Sequence, residues 1–168
     1  MLALLAGPVA HSLIYRIPNR GPTYHRRWWR CETTSGTSVA YYFDTSAMVK
    51  LVVAEAETAA LRSWLRNEDP ELVASDLART ELMRAVRRVA PDRALQARMV
   101  LDSVVLVRAT EAVFEAAGRL DPSTLRSLDA IHLASALDLG DDLDGVITYD
   151  DRLAEAAVLN GVAVLTPR

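Results

Sequence analysis

The chain is poor in the residues that staple small proteins or anchor them in membranes. Cys31 is the only cysteine in 168 residues, so no intrachain disulfide can form and a reducing cytoplasm is the expected compartment. That cysteine and the three histidines, His11, His25 and His132, do not follow zinc-ligand spacing, which argues against a zinc centre. No apolar run reaches the roughly 18 residues a membrane span needs, so no membrane association is expected. The opening MLALLAGPVAHSLIY looks superficially like a secretion signal, but it lacks a basic start, and Pro8 and His11 interrupt it. A phosphate loop, a GxGxxG fingerprint, repeats and low-complexity tracts are all missing. Excess positive charge is missing too. The formal net charge is −3, so any nucleic-acid binding has to be local.

Apolar residues make up 51% of the chain and charged residues 24%, as in soluble globular proteins, and the length suits one domain with a full core. Charge is distributed unevenly. Residues 1–40 hold five arginines and one acid, about +4, whereas residues 41–168 hold fourteen basic and twenty-one acidic side chains, about −7. Residues 1–38, with Pro8, Pro18, Gly21, Pro22, Gly36 and the stretch ETTSGTS, read as an irregular basic extension. Its cluster HRRWWR mixes cations with aromatic faces, as an RNA grip would, or is simply an appended tail.

From residue 39 to residue 168 strands and helices alternate as one domain. VAYYF (Val39–Phe43), ELVAS (Glu71–Ser75), SVVLVRAT, DGVITYD and VAVLTP read as five short buried strands. Between them lie a helix starting after Asp44 and a second, ETAALRSWLRN, with Leu61, Trp64 and Leu65 on one face. DLARTELMRAVRRV (Asp76–Val89) is expected to be capped by Ser75, with Leu82, Val86 and Val89 facing inward. Pro91 breaks that helix and DRALQARMVLDS begins another. EAVFEAAGRL follows its cap Thr110, LRSLDAIHLASAL carries Leu128, Ile131, Ala134 and Leu137 in register, and DRLAEAAVLN stops at Gly161. The fold class is therefore α/β, a three-layer sandwich around a mainly parallel five-stranded sheet.

Sites in such sheets form outside the carboxyl ends of the strands. Asp44 ends the first strand and Asp150 the fourth, while Glu81 and Asp129 lie near the starts of helices that return to the same edge. Gathered carboxylates repel one another, and a hard divalent cation such as Mg²⁺ or Mn²⁺ removes that penalty. Such an ion can orient a phosphodiester, activate a water and stabilise a leaving oxygen. Each acid also has a plain structural reading. Asp44 can cap a helix, Glu81 can pair with Arg84, Asp129 can complement a helix N-terminus, and Asp150 and Asp151 can be a cap and a first-turn acid. His132 reads as a packed, hydrogen-bonded histidine and Lys50 as helix surface. The joint placement of the four acids favours a site.

FDTSAMVKL, SDLARTELMRAVRR, LRSLDAIHLASAL and VITYDDRLAEAA, followed by VAVLTP, together resemble the PIN-domain ribonucleases, specifically the VapC toxins of bacterial toxin–antitoxin pairs. The resemblance spans about residues 40–168; residues 1–38 have no counterpart in it. It implies a PIN-like fold and a Mg²⁺-dependent endoribonuclease, with an RNA substrate, a small cognate antitoxin and a homodimeric state. By the same resemblance, Asp44 and Asp129 match the principal metal ligands, and Glu81 and Asp150 the other two acids. Ser46 matches a hydroxyl that orients the acids, and Thr148 stands beside the fourth acid. Arg84, Arg87 and Arg88, beyond Glu81, are candidates to track the RNA backbone or a solvated basic face. An aspartate-nucleophile phosphatase would want an acid where Ser46 stands, and a phospho-receiver domain would want a lysine later than Lys50. The remaining alternative is a non-catalytic RNA- or protein-binding module on the same fold.

Overall fold

The computed structural model describes residues 40–168; the expected basic extension and its HRRWWR cluster lie outside the described residues. Among these, five strands are present: β1 (Ala40–Phe43), β2 (Glu71–Ser75), β3 (Val105–Val107), β4 (Leu143–Ile147) and β5 (Val164–Leu165). They form one sheet in the order β3-β2-β1-β4-β5, with every pairing parallel. The helices are α1 (Thr45–Val52), α2 (Thr58–Glu68), α3 (Ala78–Val89), α4 (Ala94–Asp102), α5 (Glu111–Ala117), α6 (Ser127–Leu137) and α7 (Asp151–Leu159).

Period-two alternation along the central strands feeds a core on each face of the sheet. Phe43 and Ile147 pack with Met48, Leu61, Leu82, Val86 and Leu101, contributed by α1 to α4. Tyr42 and Val146, their immediate neighbours, point the other way and pack with Leu133, Leu153, Ala156 and Ala157 of α6 and α7. A strand buried on both sides has no polar face to show, which is why β1 reads as a continuous apolar run. Gly145 in β4 is required by proximity. A Cβ there would stand 2.9 Å from the Ala163 carbonyl oxygen and 3.0 Å from Leu165 Cδ1, where β5 crosses.

Several local expectations need correction. Val89 is 61% exposed and Leu128 50% exposed, so neither faces the core. The buried residues of α6 are Ala130, His132, Leu133, Ala134, Ser135 and Ala136. Two layers cover this helix: Leu133 meets the sheet, while Ala130 and Ala134 meet Val113 and Ala117 of α5. Ser75 does not cap α3, whose first residue is Ala78 and whose N-cap position is Leu77. Ser75 is fully buried at the end of β2. Thr110 does cap α5, accepting the Val113 N–H, and Gly161 ends the α7 turn at φ +78°.

Chain order reverses between β1 and β4. To one side of this pair the chain proceeds to β2 and β3, and to the other side to β5. Such a reversal splays the helices that follow the two strands and leaves a crevice at their carboxyl ends. Asp44 follows β1 and Asp150 closes the short link after β4, so both acids are delivered to its lip.

Candidate active site

Asp44 is only 5% exposed, which a carboxylate tolerates when hydrogen bonds compensate it. Three donors converge on its Oδ2: the Ser46 hydroxyl at 2.5 Å, the Ser46 N–H at 3.1 Å and the Thr148 hydroxyl at 2.9 Å. Asp44 is thus the N-cap of α1, and its structural reading and its site reading both hold. Its Oδ1 accepts no hydrogen bond among the described residues. The two hydroxyls are themselves held by the link after β4. Ser46 Oγ accepts the Tyr149 N–H at 2.8 Å, and Thr148 Oγ1 accepts the Asp150 N–H at 3.1 Å.

Glu81 does not pair with Arg84. Its Oε2 accepts the Thr45 hydroxyl at 2.7 Å and faces His132 Nε2 at 2.6 Å. His132 Nδ1 lies 2.7 Å from the Tyr42 hydroxyl, which accepts the Ser75 N–H at 3.0 Å. This chain of contacts joins β2, β1, α6 and α3 to the acid. Burial alone would raise the Glu81 carboxyl, but the His132 hydrogen bond, the imidazolium charge and the Thr45 hydroxyl outweigh it and hold the group below its usual value. Burial alone would lower His132, but the bond to Glu81 and the charges of Asp44, Glu81 and Asp129 outweigh it and raise the imidazole.

Asp129, in the first turn of α6, has the opposite problem. Its Oδ2 is buried and accepts no hydrogen bond among the described residues. The nearest cation, Arg152 Nε, is 3.9 Å away, too far for one. Burial raises the Asp129 carboxyl first, then the charge of Asp150; Arg152 pulls it down and Asp44 adds a smaller push upward. Asp150 is the N-cap of α7. Its Oδ1 accepts the Arg152 and Leu153 N–H groups, and its Oδ2 accepts the Arg152 guanidinium at 3.1 Å. Asp151, the first residue of α7, is exposed.

The four acids named from the sequence lie along one lip: Thr45 holds Glu81, Ser46 and Thr148 hold Asp44, and Arg152 stands at Asp129 and Asp150. Thr45, Tyr42 and Arg152 were not singled out. Thr45 carried a signal, a hydroxyl directly after a strand-end acid, whereas Arg152 resembled any helix-surface arginine. Arg84, Arg87 and Arg88 are exposed on α3. At about 100° per residue, Arg84 and Arg88 share the side of α3 that bears Glu81, and Arg87 is turned about 120° away. Lys50 is not surface: its side chain is 11% exposed, pairs with Glu55 at 2.5 Å and Glu57 at 2.7 Å, and covers the Tyr149 ring. Another strand-end acid, Asp76, lies after β2 and ties down the loop after β3 by accepting the Ala109 N–H.

All the donors facing the crevice are oxygens, which suits a hard divalent cation better than zinc. Among the described residues, no three acidic, histidine or cysteine side chains enclose one point as an ion cage. Asp129 Oδ2, buried without a hydrogen bond among the described residues, and the uncommitted Asp44 Oδ1 nevertheless fit an ion in kind, since each offers a free carboxylate oxygen.

The family model for the PIN domain matches residues 41–159. Ribonuclease VapC46 of Mycobacterium tuberculosis (strain H37Rv) is 47% identical over 128 residues, covering 76% of this chain and 98% of the relative. Ribonuclease VapC47 of M. tuberculosis (strain CDC 1551) is 41% identical, covering 75% and 96%. Among solved structures, the sarcin–ricin loop cleaving toxin VapC20 of M. tuberculosis superimposes with a TM-score of 0.62 at 18% identity, over 76% of this chain and 99% of that one. A toxin–antitoxin complex from Klebsiella pneumoniae gives 0.59 at 23% identity, over 76% and 98%. At these identities the structural likenesses speak for the fold, while the sequence matches carry the kinship: the chain belongs to the PIN domain family.

Proposed function

We propose that the chain is a divalent-metal-dependent endoribonuclease, the toxin half of a toxin–antitoxin pair. The observation that carries this reading is the Asp129 Oδ2 atom, buried without a hydrogen bond at a lip shared with Asp44, Glu81 and Asp150. Relatives at 47% and 41% identity bear the name ribonuclease, which supports RNA as the substrate. The partners belonging to this reading are RNA, a small cognate antitoxin and a second copy of the chain.

Asp44 and Asp129 are the side chains that would hold Mg²⁺, or Mn²⁺ in its place. When bound, the ion supplies a positive centre that orients the phosphodiester, acidifies a water and stabilises the leaving oxygen. Ser46 and Thr148 clamp Asp44 by one oxygen and leave the other for that purpose. Thr45 and His132 keep Glu81 ionised and fixed in direction, so that its carboxylate can hold and orient a water at the lip. In-line attack leaves a 5′-phosphate and a 3′-hydroxyl. Arg84 and Arg88 offer exposed cations along the helix that leads away from Glu81, where the RNA backbone would run.

The test is incubation of total RNA with purified protein in Mg²⁺ or in EDTA, comparing the wild type with Asp44→Asn. Discrete fragments with 5′-phosphate ends, absent in EDTA and reduced at least about 100-fold in the variant, are expected. Folded protein that leaves all RNA intact and whose melting temperature ignores Mg²⁺ and Mn²⁺ would transfer the chain to the binding-module class.

A further inference from the structure

The reaction just described gives no part to Arg152, yet this side chain makes the closest positive contact to two of the four acids. It is the second residue of α7. Its backbone N–H is bonded to Asp150 Oδ1 at 2.9 Å, so the base of the side chain is fixed to the carboxylate that its head also meets. The head reaches Asp150 Oδ2 at 3.1 Å through one terminal nitrogen, and its Nε stands 3.9 Å from the orphaned Asp129 Oδ2.

We propose that Arg152 is the resident counter-cation of the acid cluster, standing between Asp129 and Asp150 and competing with a divalent ion for both carboxylates. The proposal rests on the metal reading above and adds a residue that sets how readily the ion enters.

Three features carry it. First, Asp150 has no idle oxygen. Oδ1 is committed to capping α7, and among the described residues the contact on Oδ2 that can be exchanged without opening the helix is the guanidinium. An ion approaching Oδ2 therefore meets that positive charge at 3.1 Å. Second, the nearest positive charge to Asp129 Oδ2 is the same guanidinium, at a distance that eases repulsion without satisfying the oxygen. Third, the arginine side chain is 49% exposed, while its partners are 19% and 31% exposed. It can therefore swing into water with little loss, since an ion pair in that setting is weak. Two like-charged acids are thereby kept tolerable before the ion arrives, and the ion must displace a charge to bind.

The test is calorimetric titration of Mn²⁺ into the full chain at fixed ionic strength, comparing wild type, Arg152→Gln, Arg152→Lys and Asp129→Asn. Arg152→Gln is expected to bind Mn²⁺ about two- to fivefold more tightly than wild type, the range a partly exposed ion pair commands. Arg152→Lys, which keeps the charge, should stay within about twofold of wild type. Asp129→Asn should bind more weakly than either. If wild type binds, Asp129→Asn loses binding and Arg152→Gln is unchanged or weaker, Arg152 is not a competitor and the proposal falls while the metal site stands. If neither wild type nor Arg152→Gln binds Mn²⁺, the metal reading and the proposal fall together. Binding by Arg152→Gln alone supports the proposal in its strongest form.

Discussion

Asp129 and His132 lie one helical turn apart on α6 and are perturbed in ways that predict opposite behaviour. Asp129 is raised by burial and by Asp150, so its ionised form strains the fold at neutral pH and the strain eases as pH falls through its raised value. Asp129→Asn should therefore stabilise the metal-free protein at pH 7 by about 0.5–1 kcal/mol, a gain of the size found when a functional residue is removed. The same variant should lose the rise in melting temperature that Mg²⁺ gives the wild type; thermal scans with and without the ion check both halves. His132 is raised above its ordinary 6.5, so its contribution is complete below that value and is lost as pH climbs through the raised value. Glu81 is lowered, so its contribution is present above the ordinary carboxylate value and is lost as pH falls through the lowered one. The pair stabilises most in the window between. Melting temperature measured against pH in the absence of metal should fall on the alkaline side in wild type, and this fall should vanish in His132→Gln. The sequence located the acids because strand ends and helix starts are written in local pattern. It did not reveal that His132 holds Glu81, because their contact spans 51 positions and joins two helices.

At the scale of elements, the strands were legible and the inward faces of two helices were not. VAYYF and ELVAS are short, largely apolar runs without a polar face, the pattern of strands covered on both sides in a parallel sheet. Helix α6 departs from the single apolar stripe that a period of 3.6 predicts. A helix enclosed by the sheet on one flank and by α5 on another selects small side chains around much of its girth, and leaves Leu128 outside. Val89 closes the last turn of α3 and is outside for a simpler reason: Leu82 and Val86 already complete the contact with α1 and the sheet. Gly145 sets the spacing of β4 and β5, since a methyl group there would press on the Ala163 carbonyl oxygen. Backbone cannot yield as a side-chain tip does, so Gly145→Ala should cost about 1–3 kcal/mol in denaturant melts. Because the Thr148 N–H is bonded to the Leu165 carbonyl oxygen just beyond, the clamp on Asp44 should loosen too, read as a weaker Mn²⁺ response.

On the scale of the whole molecule, the site is assembled from both ends of the domain. Asp44 is held by Thr148 across 104 positions. The Tyr149 hydroxyl donates to the Pro167 carbonyl oxygen at 2.8 Å, so the segment after β5 supports the residue whose N–H fixes Ser46. β1, the first described strand, is central and pairs with β2 early in the sequence and with β4 only late. A chain ending at residue 142 retains α1, α3 and α6 with Asp44, Glu81 and Asp129, but lacks β4, Thr148 and Asp150. Chains emerge from the ribosome amino end first, and domains fold as they emerge. The order of synthesis thus sets an interval in which the growing polypeptide carries most of its acids but has no crevice in which to use them. On the reading proposed above, a fragment ending at residue 142 should leave total RNA intact in Mg²⁺ under conditions in which the full chain cuts it.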